Sequence, residues 1–231
     1  MEIFIFLFGL CIGSFANVLI DRLPRGEDIF RGRSRCDYCK KELRWFELIP
    51  VISFFIQRGR CRRCHRQLSI QYPLVELASA VAFVFLFPHI PSLLIFLSLL
   101  VIFVADLKYE IIPDSMIILG LIGGLIGKFS ILSAIGAAAF FLFLFLVTRG
   151  RGMGLGDVKL AFLLGLILGF PTIVIALYTA FLTGAAVGII LMIGGKKTLK
   201  SHVPFGPFLI LGAMFAMLYG NGVMEWWNKF L

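Results

Sequence analysis

Long apolar runs alternate with short polar connections along this chain, and that pattern leaves few folds open. Eight runs, near residues 3–20, 73–88, 91–106, 114–128, 131–148, 158–171, 173–193 and 205–220, approach the length an α-helix needs to cross a bilayer, about 20 residues. Inside hydrocarbon a segment must satisfy its own backbone N–H and C=O groups, so runs of this kind fold as helices. With 60% hydrophobic residues and a mean hydropathy of +0.98, the chain carries more apolar surface than a soluble domain of 231 residues needs. The expected fold is an all-α polytopic membrane protein with about eight transmembrane helices. The first run opens with Glu2, not with a basic segment, and no small-residue cleavage pattern follows it. It therefore reads as a retained first span and not as a signal peptide.

Charge sets the expected orientation. Residues 21–71 hold thirteen Lys/Arg against six Asp/Glu, a local net of +7 out of the chain's +9. A basic segment of this density between two spans stays in the cytoplasm. The N-terminus then lies outside and the loops alternate. Inner loops carry Lys108, Arg149, Arg151, Lys159, Lys196, Lys197 and Lys200, whereas the outer side carries only Lys128 and the tail residue Lys229. Anionic lipid is what such a positive segment meets first. Arginine-bearing zinc knuckles can bind nucleic acid, but the flanking spans make the bilayer the expected partner and nucleic acid an unexpected one.

Within this topology two aspartates fall on the same side. Asp106 closes the third span in Ala105-Asp106-Leu107-Lys108, and Asp157 opens the sixth in Gly154-Leu155-Gly156-Asp157. A carboxylate at a membrane edge is costly to keep dry, which makes it a functional candidate. Two that approach one another share a proton, so that one activates water while the other protonates a substrate carbonyl. Glycines 150, 152, 154 and 156 clear side chains from the approach to Asp157, and Pro113 breaks the helix after Asp106. A single aspartate at a helix edge caps that helix as readily as it catalyses, and Asp157 and Asp114 both stand where a cap would. The pairing on one face favours a peptidase dyad. Two other readings use the same features: a transporter with acidic ion sites, and a non-catalytic membrane adaptor built on zinc. Transport acids gather near the bilayer midplane, whereas these stand at its edge.

Four of the five cysteines form two pairs, Cys36-Asp37-Tyr38-Cys39 and Cys61-Arg62-Arg63-Cys64. Two C-x₂-C knuckles in a reducing compartment have the ligand set of a structural four-thiolate zinc site. A redox pair or an iron site would use the same sulfurs. His65 adjoins the second knuckle as a bystander, and Cys11 sits in an apolar span. Small residues at Gly123-Gly124, 134–139 and Gly184-Ala185-Ala186 suit close helix packing, and Trp226-Trp227 suit an interfacial belt.

Several motifs in order resemble the bacterial prepilin peptidases, or type IV leader peptidases. The segment from Gly13 to Pro24 resembles the family's G-S-F-x-N-V-x-x-x-R-x-P. The two knuckles match its cysteine loop, and Trp45 to Pro50 and Tyr72 to Glu76 resemble its W-x-E-x-x-P and Y-P-x-V-E segments. Asp106 to Asp114 and Gly154 to Asp157 match its D-x₆-P-D and G-x-G-D regions. One departure is Lys108, where many relatives have a second acid.

The resemblance implies catalytic Asp106 and Asp157, zinc on Cys36, Cys39, Cys61 and Cys64, and cleavage of basic leaders from type IV prepilins or type II secretion pseudopilins. It places this work at the cytoplasmic face of the bacterial inner membrane. It also implies N-methylation of the new N-terminus by S-adenosylmethionine, for which Glu47, Arg60 and Glu76 are candidates by motif position. No Rossmann-type glycine fingerprint accompanies them. The expected organisation is a first helix at 1–20, a basic zinc-binding loop associated with methyl transfer at 21–71, and a transmembrane peptidase domain at 72–231.

Overall fold

The computed structural model describes residues 1–29, 31–127, 129–150, 153–194 and 204–228, the side chains of 221 and 226–228 excepted. Its helices are α1 Glu2–Arg22, α2 Ile52–Ile56, α3 Gln71–Leu86, α4 Ile90–Tyr109, α5 Asp114–Ile126, α6 Ile131–Thr148, α7 Leu155–Leu168, α8 Thr172–Ile193 and α9 Gly206–Asn228. All but the short α2 coincide with the apolar runs. Helices α1, α4, α6 and α8 are long and apolar enough to cross a membrane, and α3, α5 and part of α9 are shorter apolar helices. The protein is thus all-helical and integral to a membrane, with a four-cysteine loop between α1 and α3. Among the described residues, bridging between extended segments is limited to two isolated pairs, Arg35 with Glu42 and Arg60 with Gln67. Arg151, Gly152, Lys128, Lys196, Lys197, Lys200 and Lys229, used above for orientation and loop geometry, lie outside the described residues, as do the side chains of Trp226 and Trp227.

The chain divides after Val101 into two compact units, 1–101 and 102–231. In the first unit α1 packs along α3, and the close approach depends on two glycines. A Cβ on Gly13 would stand 2.6 Å from the Glu76 Cα, and one on Gly9 would stand 2.7 Å from the Ala80 Cα. Spaced four apart, they share one helix face, the small-xxx-small arrangement that lets membrane helices touch backbone to backbone. Asn17, buried one turn further on, donates to the Tyr72 carbonyl at 3.1 Å. Pro24 tightens the end of α1 into a 3₁₀ turn, and Gly26 at φ +65° ends it.

In the second unit α7 packs against α5 and α6, and α8 against α9. Gly165 of α7 lies against the Ser133 carbonyl and Ala134 of α6, and Gly124 of α5 lies against Leu166. The small-residue run is used along one stripe only: Ala134 and Ala137 are buried, while Gly136 and Ala139 face outward. Gly184 meets Phe205, but Ala185 and Ala186 are exposed. Phe141, fully buried, stacks at 5.9 Å from Phe181 and 6.2 Å from Phe205. That aromatic cluster fixes the residue immediately before α9.

Candidate active site

Asp106 stands on the last turn of α4, and both it and Asp157 are buried, at 5% and 8% exposure. Each carboxylate is held by one glycine N–H at the start of a helix. Gly206, the first residue of α9, donates to Oδ2 of Asp106 at 3.0 Å. Gly154, which precedes α7, donates to Oδ2 of Asp157 at 3.1 Å. The first N–H groups of a helix have no internal acceptor and carry the positive end of its dipole, so both sites favour a carboxylate. Among the described residues Oδ1 of neither acid takes a protein donor.

The two acids lie close enough for the Asp157 charge to act on Asp106. Ile112, in the bend between α4 and α5, joins their supports. Its side chain stands 3.1 Å from where a Gly156 Cβ would be and 3.5 Å from where a Gly206 Cβ would be. A Cβ at 206 would also stand 2.6 Å from Oδ2 of Asp106, so a larger residue there would displace that carboxylate. Asp114 is placed apart from this pair. It is exposed and bonds to Lys159 at 2.6 Å, tying the start of α5 to the first turn of α7.

The four thiols of Cys36, Cys39, Cys61 and Cys64 converge, with their sulfurs within 4.8 Å of one another. Cys36 and Cys64 Sγ are 3.8 Å apart. A tetrahedral ion with bonds of about 2.3 Å requires sulfur separations of about 3.8 Å. The cluster therefore fits a metal ion of that kind.

Two similar turns build it. The Cys36 N–H bonds to the Lys41 carbonyl at 3.0 Å and the Lys40 N–H to the Cys36 carbonyl at 2.9 Å; the equivalent bonds in the second turn run from Cys61 to Arg66 and from His65 to Cys61, both at 2.9 Å. Lys40 and His65 occupy the same left-handed position, each at φ 56°. His65 thus shapes its turn, and the four sulfurs form the cluster. Burial pushes the Cys36 thiol up to about 11, whereas the Cys64 backbone N–H draws Cys61 down to about 7. A bound cation would deprotonate both.

Of the three residues picked out for the methyl donor, Glu47 and Glu76 line one cavity of the first unit, and Arg60 stays outside its lining. Glu76 is buried and accepts the Val51 N–H at 2.7 Å. Glu47 accepts the Arg44 N–H at 2.7 Å, and Arg60 is exposed on the second knuckle.

Known proteins share this arrangement of segments. Residues 7–90 match the bacterial peptidase A24 N-terminal domain, and residues 93–189 match the type IV leader peptidase family. A prepilin leader peptidase/N-methyltransferase of Bacillus subtilis (strain 168) is 34% identical over 97% of both chains. Proteins of the same description from Legionella pneumophila (31% identical, 98% of this chain and 94% of the relative) and Aeromonas hydrophila (33%, 96% and 92%) align almost as fully. The chain belongs to the type IV leader peptidase family. It is accordingly a membrane enzyme of the peptidase class, and the transporter and adaptor readings find no support. No solved structure matches it.

Some glycines that position these helices are not marked by the family's motifs. Gly206 is one: a glycine between Phe205 and Pro207 at the head of an apolar run looks like a helix start, and nothing local shows that Asp106 meets it from 100 positions away. Gly9 and Gly13 did carry a signal, their Gly-x-x-x-Gly spacing in an apolar run.

Proposed function

We propose that the chain removes the leader peptide from type IV prepilins or type II secretion pseudopilins and then methylates the exposed amine. The observation that carries the peptidase half is the pair Asp106 and Asp157, both buried, each anchored by a glycine N–H at a helix start, with Ile112 packed against both supports. In this mechanism one carboxylate takes a proton from a water as its oxygen attacks the scissile carbonyl carbon. The other gives its proton to the carbonyl oxygen. The tetrahedral intermediate then collapses, the C–N bond breaks, the leaving amine takes a proton from the dyad, and a hydroxyl of the intermediate returns one to it. Because the pair works as a unit, one proton is shared between the two acids throughout.

The basic 21–71 segment supports a cytoplasmic loop, with the N-terminus outside and the dyad at the cytoplasmic face of the bacterial inner membrane. A prepilin held by its own apolar helix would present its leader junction at that depth. In this assignment 21–71 serves methyl transfer and the later helices serve proteolysis. Cys36, Cys39, Cys61 and Cys64 hold a structural Zn²⁺, which gives a loop with little core of its own a fixed shape. S-adenosylmethionine supplies the methyl group; Glu47 and Glu76 line the cavity where a donor would fit, and Arg60 lies on the adjoining knuckle.

The test is incubation of the purified protein in detergent with a prepilin-like peptide, with and without S-adenosylmethionine, read by mass spectrometry. Loss of the leader in both samples, with a further 14-dalton gain only when donor is present, is the expected result. Full leader removal by Asp106→Asn or Asp157→Asn would overturn the dyad.

A further inference from the structure

Three motif segments that the peptidase chemistry does not use meet around one cavity of about 630 Å³ in the first unit. The first motif contributes Ser14, Asn17 and Asp21 from one face of α1, the second contributes Glu47, and the third contributes Tyr72 and Glu76 from α3. Hydrogen bonds stitch the three together. Glu76 takes the Val51 N–H at 2.7 Å and a bond from Ser14. Asn17 donates to the Tyr72 carbonyl at 3.1 Å and accepts from Gln71 at 3.4 Å. The Tyr72 hydroxyl faces two carboxylates, Oδ2 of Asp37 at 3.0 Å and Oδ2 of Asp21 at 3.2 Å.

Arg22 holds the outer wall. Its guanidinium donates to the carbonyls of Asp28, Ile29, Arg31, Gly32 and Arg33 and so fixes the loop that faces α1. Val51, at φ +61° and ψ −53°, is held in a conformation that L-residues rarely adopt.

Charge is sorted across this wall. Five of the six acids in residues 21–71 line the cavity, together with Glu76 from α3. Six of the thirteen cations line it too, so the lining balances. The remaining seven cations stand outside it with Glu42 alone, and there the loop's positive excess resides. The volume falls within the range of small-molecule sites, about 300–1,000 Å³.

We propose that this cavity is the methyl-transfer chamber, taking the sulfonium donor S-adenosylmethionine on its Glu47 and Glu76 side and the substrate's N-terminal amine at the Asp21–Tyr72–Asp37 array. The inference rests on the methyltransferase half of the proposed function. The ammonium of the cleaved substrate gives one proton to the carboxylate of Asp21. The freed nitrogen lone pair attacks the methyl carbon, the C–S bond breaks with its electrons going to sulfur, and the products are a secondary ammonium and neutral S-adenosylhomocysteine. The carboxylate then passes its proton to water.

The test uses the full-length chain in detergent. Ultraviolet cross-linking with methyl-tritiated S-adenosylmethionine, followed by peptide mapping, should label the cavity wall, Tyr72 or Phe54 being the aromatic groups on it. Label confined to residues outside the lining overturns the proposal.

Calorimetric titration with S-adenosylhomocysteine should show Glu76→Gln binding at least tenfold more weakly than wild type. Asp37→Asn and Tyr72→Phe should lower the methylated fraction at least tenfold. Leader removal, which uses Asp106 and Asp157, should stay unchanged in all three, and a wild-type thermal unfolding midpoint in detergent reports that the first unit is folded. Wild-type methylation and binding in all three variants would discard the cavity while leaving the methyltransferase reading intact. A wild-type chain that cleaves its substrate but neither binds the nucleoside nor methylates would discard both.

Discussion

Gly206 and Asp106 meet across 100 positions of sequence through a single 3.0 Å hydrogen bond, and a Cβ at 206 would push that carboxylate aside. The N–H at the head of α9 fixes the carboxylate on the last turn of α4. The aromatic cluster of Phe141, Phe181 and Phe205 in turn fixes the head of α9. Packing in the second unit is thereby linked to the orientation of one acid of the dyad.

Gly206→Ala tests that link. Its Cβ would stand 2.6 Å from Oδ2 of Asp106, so either the carboxylate rotates or the helix end withdraws. A misplacement of about 1 Å at a catalytic group can cost roughly 100-fold in rate. We expect leader cleavage to fall by about that factor, with normal protein abundance, as measured by initial rates on a prepilin-like peptide. Methylation of a substrate supplied already cleaved should be unaffected. Wild-type cleavage by this variant would show that the bond does not matter.

Of Asp106, Asp114 and Asp157, only the two that form the dyad should be essential. Asp106→Asn and Asp157→Asn each remove a proton carrier, and cleavage should drop by about 100- to 10,000-fold. Asp114→Asn breaks only the bond to Lys159, whose partners are 66% and 48% exposed. Surface pairs of this kind contribute about 0–1 kcal/mol, so cleavage should stay within about threefold of wild type. A quantitative peptide assay on the three variants, normalised to protein level, separates the cases.

The apolar helices were legible because hydrophobic run length is a property of neighbouring residues. The four cysteines were legible for the same reason: two C-x₂-C pairs announce a ligand set before any fold is known. Gly206, Tyr72 and Asp37 were not. Tyr72 lies 51 and 35 positions from the two acids it joins, and no local pattern encodes a meeting at that range. Glu47 and Glu76 could be picked out by motif position, but their placement on one cavity wall required the α1–α3 packing. The glycines show the same divide. Gly-x-x-x-Gly marks Gly9 and Gly13 as a close approach, whereas a run of small residues does not say that Ala134 and Ala137 face the protein while Gly136 faces outward.

Metal removal should separate the two activities. The loop between α1 and α3 has few buried apolar residues apart from Cys36 and Cys61, so its shape depends on the cysteine cluster. Purified protein should hold about one zinc per chain. A strong chelator should release it together with four titratable thiols and abolish methylation. The acids of the dyad belong to residues 102–231, and leader cleavage should survive the same treatment. Elemental analysis, thiol titration and the two product masses read these outcomes from one sample. Metal-free protein with undiminished methylation would refute a structural ion.

Glycine substitutions should distinguish a backbone contact from open space. In Gly13→Ala the added Cβ stands 2.6 Å from the Glu76 Cα and 3.0 Å from the Val75 carbonyl oxygen. These atoms belong to a helix backbone and cannot rotate away, so α1 and α3 must separate. Overpacking of this type typically costs about 1–3 kcal/mol. The separation would also move Glu76, and with it the bond that holds Val51 in its strained conformation. Gly136→Ala provides the contrast, since a Cβ there meets nothing within 4 Å. Replacing a mid-helix glycine by alanine in open space is neutral or favourable by up to about 1 kcal/mol. Thermal unfolding in detergent should therefore show a lower midpoint for Gly13→Ala and an unchanged or higher one for Gly136→Ala. Methylation should be impaired only in the former. Equal midpoints for the two variants would mean that α1 and α3 do not pack through Gly13.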